Sequence, residues 1–526
     1  MKSTICLVSL AGTALGSSLA TDINVISRYW GELSPYADNA ENFFGVNDVG
    51  VPRGCGLEQA HLLQRHAQRF DTDWGDESLS GANFAAKVAK VAHPTFSGPL
   101  AFLNDYEYLM GESYLTGVGA NTEFGLGVNF WNRYGRLLYN ASVGQVAFNA
   151  TSPEALDASS KPVLRTTSNS RMWNSQISWA LGFFGPSFVP TKNIDPTLAN
   201  WTAPFRAIVI PEGGTENNTL ASYDSCANDN IEPMIDMGDV KMKPYVNKYL
   251  NAAARRMRAF VPHGFNITAT DAYAMQSLCA YETAAFGESA FCNLFTLDEW
   301  AGFEIAHDAQ YYYDYSYGNP TSRAQGIGYV QELVARLTNQ YITVSNTSVN
   351  STLTNNAKDF PLGAKFYADF THDDIIVSVL TAMSLDYLRD APSLDQWPPN
   401  PNRNFIMSNL TPFGGHLVAE VFGCSSPEPE AVTAHTTVYS KKSTGYNAAK
   451  AAHKFVRLRL NNGILPLNSI RGGHCAGRTD GFCSLKDFLA SQANSTALAN
   501  YDYVCNGNYT IKNPGDNKDW DGTIFA

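Results

Sequence analysis

Apolar residues recur along this chain in two rhythms. The first is a short apolar run that stops at polar residues: 59–64 (QAHLLQ), 162–164, 206–211 (RAIVIP) and 365–370 (KFYADF), with 455–460 (FVRLRL) alternating. Runs of this length and composition predict strands. The second rhythm is helical. After Thr166-Thr-Ser-Asn169, the segment SRMWNSQISWALGFFG places Trp173, Ile177, Leu181 and Phe184 on one face, with Ser168 or Asn169 as the N-cap. After Thr371-His-Asp-Asp374 comes IIVSVLTAM, apolar nearly all round, which predicts a buried helix.

Strands alternating with helices predict an α/β fold with a mostly parallel sheet flanked by helices. The core is expected near 50–77, 161–220 and 320–470. The intervals 78–160 and 221–319 hold few strand signals, and their Ala, Leu, Tyr and Phe recur at helical spacing, as over 245–260. They predict an inserted α-helical cap. Residues 345–356, rich in Asn, Ser and Thr, predict a glycosylated surface loop. Residues 471–526 form a C-terminal extension, irregular and exposed from 506. There is no internal repeat.

Composition narrows the partners. The 526 residues are 44% hydrophobic and 12% aromatic, enough for a large core. The net charge is −12, and no run of Lys or Arg exceeds two residues, which excludes nucleic acid and anionic membranes as partners. Any affinity for anions must come from a local pocket. The N-terminus combines Lys2, an apolar stretch and the small-residue ending Ser18-Leu-Ala20, which predicts a signal peptide over 1–20 and a mature unit over 21–526. Removing it leaves Cys55, Cys226, Cys279, Cys292, Cys424, Cys475, Cys483 and Cys505, an even set that suggests four disulfides. They form no CxxC pairs, so no zinc site is expected. Sequons stand at Asn140, Asn149, Asn200, Asn217, Asn266, Asn346, Asn350, Asn494 and Asn508, with a tenth at Asn409 weakened by Pro412. These features describe a secreted glycoprotein, in the medium or held at the cell wall.

Three strand-to-helix junctions carry chemistry: Arg65-His66-Ala-Gln-Arg69 with Thr72, Arg165-Thr-Thr-Ser168, and Thr371-His372-Asp373. In open α/β sheets, ligands bind at the carboxyl ends of strands, where helix N-termini present free N–H groups. Side by side, these ends would gather three arginines, two histidines and a carboxylic acid. Arginine forks suit the non-bridging oxygens of a phosphate monoester. A neutral imidazole can attack phosphorus, and a protonated carboxyl can supply the leaving group's proton. No metal or other cofactor is called for. Singly, each motif is ordinary surface chemistry, and the dipeptide His307-Asp308 shows how readily such a pair arises.

Together the motifs resemble those of a fungal histidine acid phosphatase, of the clade of phytases and secreted acid phosphatases. The R-H-G-x-R-x-P-T signature stands here as Arg65-His-Ala-Gln-Arg-Phe-Asp-Thr72, and the distal one as Ala368-Asp-Phe-Thr-His-Asp373. GELSPY (31–36), VLRTTSNSR (163–171), VIPEGGTENNTL (209–220), GNPTSRAQGIGY (318–329) and VRLRLNNGILPL (456–467) follow in order. The resemblance implies a phosphoglycerate-mutase-like core and a phosphohistidine at His66. It also implies phosphoryl binding by Arg65, Arg69, Thr72, Arg165 and His372, and a proton donor at Asp373, hence highest activity in acid. The implied disulfides are Cys55–Cys424, Cys226–Cys505, Cys279–Cys292 and Cys475–Cys483.

Two departures stand inside the first signature. Ala67 replaces a glycine, which is strained only if φ is positive, and Asp71 replaces a proline beside an anion site. Substrate preference leans to small monoesters. Glu32-Leu33, the acidic stretch Asp73-Trp-Gly-Asp-Glu77 and Gln310-Tyr311 stand where phytases of the family tend to be neutral or basic. An inositol-polyphosphate phosphatase (phytase) is the alternative, and a catalytically weak anion-binding protein the third reading.

Overall fold

The computed structural model describes residues 18–72, 79–156, 161–188, 204–214, 216–432, 441–512 and 518–526. The leader through residue 17, Asn200 and the acidic stretch 73–77 lie outside the described residues.

Among the described residues, eight strands form one sheet: β1 (Cys55–Arg65), β2 (Val163–Thr167), β3 (Arg206–Ile210), β4 (Phe366–Thr371), β5 (His416–Cys424), β6 (His453–Leu460), β7 (Gly463–Ile464) and β8 (Cys483–Ser484). The order is β3-β2-β4-β1-β5-β6-β7, with β8 also on β6. The β1–β4, β2–β4 and β2–β3 pairings are parallel. The β1–β5, β5–β6, β6–β7 and β6–β8 pairings are antiparallel. The sheet is therefore mixed, where a mostly parallel one was expected. The difference lies in β5, which has no counterpart in the apolar pattern. HLVAEVFGC is buried throughout and does not alternate. Its Glu420 is matched by Arg457 and Arg459 of β6 at 2.5 and 2.9 Å, so a charge that breaks the run belongs inside the sheet.

Alternation along the strands splits the core. Leu63, Leu417, Val456 and Leu458 face a layer with α7 (Ser322–Thr338) and α8 (Asp373–Ala382). Leu62, Leu164, Phe366 and Phe370 face α2 (Gly117–Phe130) and α3 (Ser170–Phe184). These last two helices touch backbone to backbone. A Cβ on Gly127 would stand 2.0 Å from the Trp179 carbonyl, and one on Gly182 2.0 Å from that of Phe124. Only glycine permits that approach.

A separate apolar cluster joins α1 (Gly81–Ala89), α4 (Met237–Met257), α5 (Ala269–Phe286) and α6 (Leu297–Tyr315) with Trp30. It is the helical insertion beside the sheet. The expected cap segment 78–160 is thus divided: α1 joins the cap, whereas α2 flanks the sheet.

Two surface expectations hold only in part. In the 345–356 loop, Thr347, Ser348 and Val349 are buried. The tail is anchored, because Asp521 meets Arg323, Arg389 and Arg471, and Thr523 is buried. The disulfides join Cys55–Cys424, Cys226–Cys505, Cys279–Cys292 and Cys475–Cys483.

Candidate active site

Register brings four strand ends to one rim. Arg65 lies beside Thr371, Thr166 beside Phe370, and Thr167 beside Ile210. The residues that follow are His66 after β1, Ser168–Arg171 after β2, Glu212 after β3 and His372-Asp373 after β4. They line one side of a cavity of about 1140 Å³, and cap residues of α4, α5 and α6 line the other.

His66 is buried, with its ring 5.7 Å from that of His372. Its Nδ1 stands 2.8 Å from the Ala67 carbonyl. A carbonyl only accepts, so Nδ1 carries the proton and Nε2 presents a lone pair. Burial, then Arg65, Arg171 and Arg69, push the imidazole well below its usual pKa, which favours its neutral form. Ala67 does not have a positive φ. Its methyl group is therefore unstrained.

Arg65 is fully buried behind this wall. Its Nη1 donates to the carbonyls of Glu32 and of Thr411 (2.7 Å), and its Nη2 lies 2.7 Å from Asp373 Oδ2. Arg65 thus reaches the cavity through Asp373. Arg69 and Thr72 line the cavity directly. Arg69 donates to the Phe70 carbonyl at 3.0 Å, and its Nε is buried without a partner. Although burial opposes its charge, Tyr281, Asp373 and Asp71 hold Arg69 firmly protonated. Asp71 therefore acts on Arg69 as well as on the pocket.

His372 caps α8, its Nε2 3.2 Å from Glu212 and its Nδ1 3.4 Å from Arg171 Nη2. Asp373 opens the helix and accepts from the Tyr311 hydroxyl at 2.5 Å. Burial pushes the Asp373 carboxyl up, but Arg65 and Arg69 outweigh it and hold it below its usual range.

Arg165 is not in this site. It is buried at the middle of β2, beside Asp369 in the register, with Nε 2.7 Å from Asp369 and Nη2 2.6 Å from Glu332. Arg336 completes the cluster at 2.5 Å from Asp369. The expectation that Arg165 binds a phosphoryl group is therefore corrected, because β2 does not stop with the apolar run 162–164 but continues to Thr167, two residues past Arg165. At about 3.3 Å per residue that places Arg165 roughly 7 Å short of the rim.

Arg171 stands on the cavity wall instead, with its Nε buried and unpartnered. Burial and the neighbouring Arg69 lower its pKa. It was the last residue of VLRTTSNSR, and one signal marked it: a cation in the first turn of a helix is unfavourable unless an anion binds there. Glu212 and Tyr311, unassigned from sequence, also join the site.

Among the sequons, Asn140, Asn149, Asn266, Asn346, Asn494 and Asn508 are exposed and Asn350 is partly exposed. Asn217 is half-buried, its amide nitrogen donating to the carbonyl of Thr347 at 2.9 Å.

Residues 56–461 match the family model of the histidine phosphatase superfamily (branch 2). The chain belongs to that superfamily. Phytase A of Aspergillus fumigatus is 29% identical over 505 residues, 92% of this chain and 93% of the relative. Phytase A of Aspergillus oryzae is 27% identical, covering 95% and 97%. Among solved structures, the phytase from D. castellii matches with TM-score 0.64 at 24% identity, over 92% of this chain and 88% of that one. A Bifidobacterium longum multiple inositol polyphosphate phosphatase, complexed with inositol hexasulfate, matches with TM-score 0.54 at 14% identity, covering 89% and 97%. These structures show the shared fold. As a member of this superfamily the protein is a histidine acid phosphatase, a phosphoric monoester hydrolase acting through a phosphohistidine.

Proposed function

We propose that His66 Nε2 attacks the phosphorus of a small phosphate monoester, with Asp373 protonating the leaving oxygen. Arg69, Arg171 and His372 bind the phosphoryl oxygens, helped by Thr72 and by the N-termini of α3 and α8. Arg165 is replaced in this role by Arg171. Arg65 acts from behind, on Asp373. The observation that carries this reading is the pair of guanidinium groups, Arg69 and Arg171, with buried unpartnered Nε atoms flanking a neutral His66. A bound phosphoryl dianion offsets their field and adds negative charge beside Asp373, raising the carboxyl's pKa so that it holds its proton in acid.

The rest of the cavity decides the leaving group. Its lining also carries Asp71, Glu112, Asp224, Asp229, Asp239 and Asp314, and no lysine among the described residues. Where it is ionised, such a wall repels a polyphosphate and tolerates an uncharged alcohol. Burial pushes Asp229 up to about 7, and Asp374 up to about 6 with help from Asp373. The wall is therefore partly neutral in acid and turns more negative towards neutral pH, which weakens the binding of any anionic substrate. The phytase reading is favoured by the relatives named Phytase A and by the cavity's size. Phosphate release from an aryl phosphate and from inositol hexakisphosphate, with one preparation, separates the two. A kcat/KM at least about tenfold higher for the aryl ester is expected, and the reverse order establishes the phytase. The N-terminal pattern and the four disulfides support export from the cell. Among the described residues, no helix is long and apolar enough to cross a membrane.

A further inference from the structure

Asp373 is held on one oxygen from two sides. Arg65 Nη2 lies 2.7 Å from Oδ2, and the Tyr311 hydroxyl donates to the same Oδ2 at 2.5 Å. Arg65 comes from the end of β1, and Tyr311 from the C-terminal half of α6, a cap helix. Tyr311 also lines the cavity and packs on Tyr315, with ring centroids 5.2 Å apart.

We infer that Tyr311 is a positioning residue for the general acid: its hydroxyl and Arg65 occupy Oδ2, so that Oδ1 is the oxygen that carries and delivers the proton. The inference rests on the assignment of Asp373 as proton donor. In the first step the bond from His66 Nε2 to phosphorus forms and the P–O ester bond breaks. The proton on Asp373 Oδ1 passes to the departing oxygen, leaving a carboxylate still held by Tyr311 and Arg65 through Oδ2. In the second step Oδ1 takes a proton from water as the water oxygen attacks phosphorus and the N–P bond breaks. The acid is restored and inorganic phosphate is released. Tyr311 moves no proton in either step.

The arrangement has a consequence for pH. A hydroxyl donating to a carboxylate favours its charged form, and Tyr311 lowers the Asp373 pKa in this way, alongside Arg65 and Arg69. The other groups facing Asp373 are Arg171, Tyr315, His372 and Asp374. All of them remain when Tyr311 loses its hydroxyl. The cap therefore tunes the acid of the sheet domain and sets how far towards neutrality the enzyme works.

The test is the pH dependence of kcat for Tyr311→Phe on an aryl phosphate, beside wild type. The alkaline limb reports the acid's pKa in the enzyme–substrate complex. It should move to higher pH by about one unit, the size expected for a hydrogen bond to a charged group. A limb that stays in place or moves down overturns the inference, as does a uniform loss of kcat at every pH, which is what a merely structural tyrosine would give. In an Asp373→Asn background, where the side chain cannot titrate, Tyr311→Phe should leave the pH profile unchanged, and a shift there also overturns it. His66→Ala run in parallel separates the two levels. Turnover surviving that change sinks the phosphohistidine reading, whereas a dead His66→Ala with an unmoved Tyr311→Phe limb sinks only the role of Tyr311.

Discussion

Two clusters of arginine and carboxylate sit on and beside the same sheet and do opposite work. In the first, Arg165 and Arg336 meet Asp369 and Glu332 at 2.5–2.7 Å, all nearly inaccessible to solvent. Two positive charges match two negative ones, and the space is closed by Phe360 and Tyr367 beneath the guanidinium groups. In the second, Arg69 and Arg171 repel each other, and both line a cavity. In a neutralised cluster, removing one partner leaves an uncompensated buried charge. In the open one, Asp373 and Asp71 favour the charge of Arg69, and the arginines still face a cavity that an anion can enter. The residue types are the same; the difference is whether the arginines close on the protein's carboxylates or face a cavity.

The largest effect that can break this comparison is at the nucleophile of the open cluster. His66→Ala should lower kcat at least about 10³-fold, because no other group can form the covalent intermediate. Acid-quenched labelling should then trap no phosphoenzyme. Next comes the contrast between the two arginines. Arg171→Ala should cost roughly 10²–10³ in kcat/KM, the scale for losing a preorganised donor to a developing anion, with Tm unchanged or slightly raised. Arg165→Ala should do the reverse. It should lose about 3–5 kcal/mol of stability, read from urea unfolding, while the folded fraction turns over within about twofold of wild type. A kcat/KM loss in Arg165→Ala as large as in Arg171→Ala would erase the distinction.

The smallest effect concerns pH and stability, where the two regions pull in opposite directions. Burial opposes the charge of Asp369, but Arg165 and Arg336 depress its pKa far below the ordinary range. Its contribution is present above the unfolded value of about 3.9 and is lost as pH falls below it. Asp229 lies on the cavity wall with its pKa pushed up to about 7 by burial. The stability linked to it is fully present below about pH 4 and is lost as pH rises through about 7. Stability should therefore peak in acid, with Tm falling by roughly 2–4 °C between pH 5 and pH 7.5. Asp229→Asn should flatten that slope and leave the acid limb in place. An equally steep slope in the variant would show that Asp229 does not carry it.

Much of this was legible before folding. The runs at 59–64, 206–211 and 365–370 marked strands because buried parallel strands are apolar on both faces and stop where the chain turns into polar residues. His66, Arg69, His372 and Asp373 could be read as one chemistry because each sits within a few residues of such a stop. β5 was not legible, because Glu420 breaks its pattern and the arginines that satisfy it lie in β6. Nor was the division of 78–160, since α1 and α2 have similar compositions and differ in the surface that covers them.

The sequence by itself determined the candidate chemistry: two histidines, a carboxylic acid and cationic side chains near strand ends, in an order that resembles one family. It could not decide which arginine serves. Arg165 and Arg171 are six residues apart in one motif, and the choice between them hangs on where β2 ends and on its register with Asp369. Nor could it place Tyr311 on Asp373, or gather Asp229, Asp239 and Asp314 on one wall. Those contacts join residues separated by tens of positions, and only the docking of the cap helices against the sheet rim brings them within reach. Local pattern reports which groups a chain carries to a surface. Long-range packing decides which of them close on the protein's carboxylates and which face a cavity.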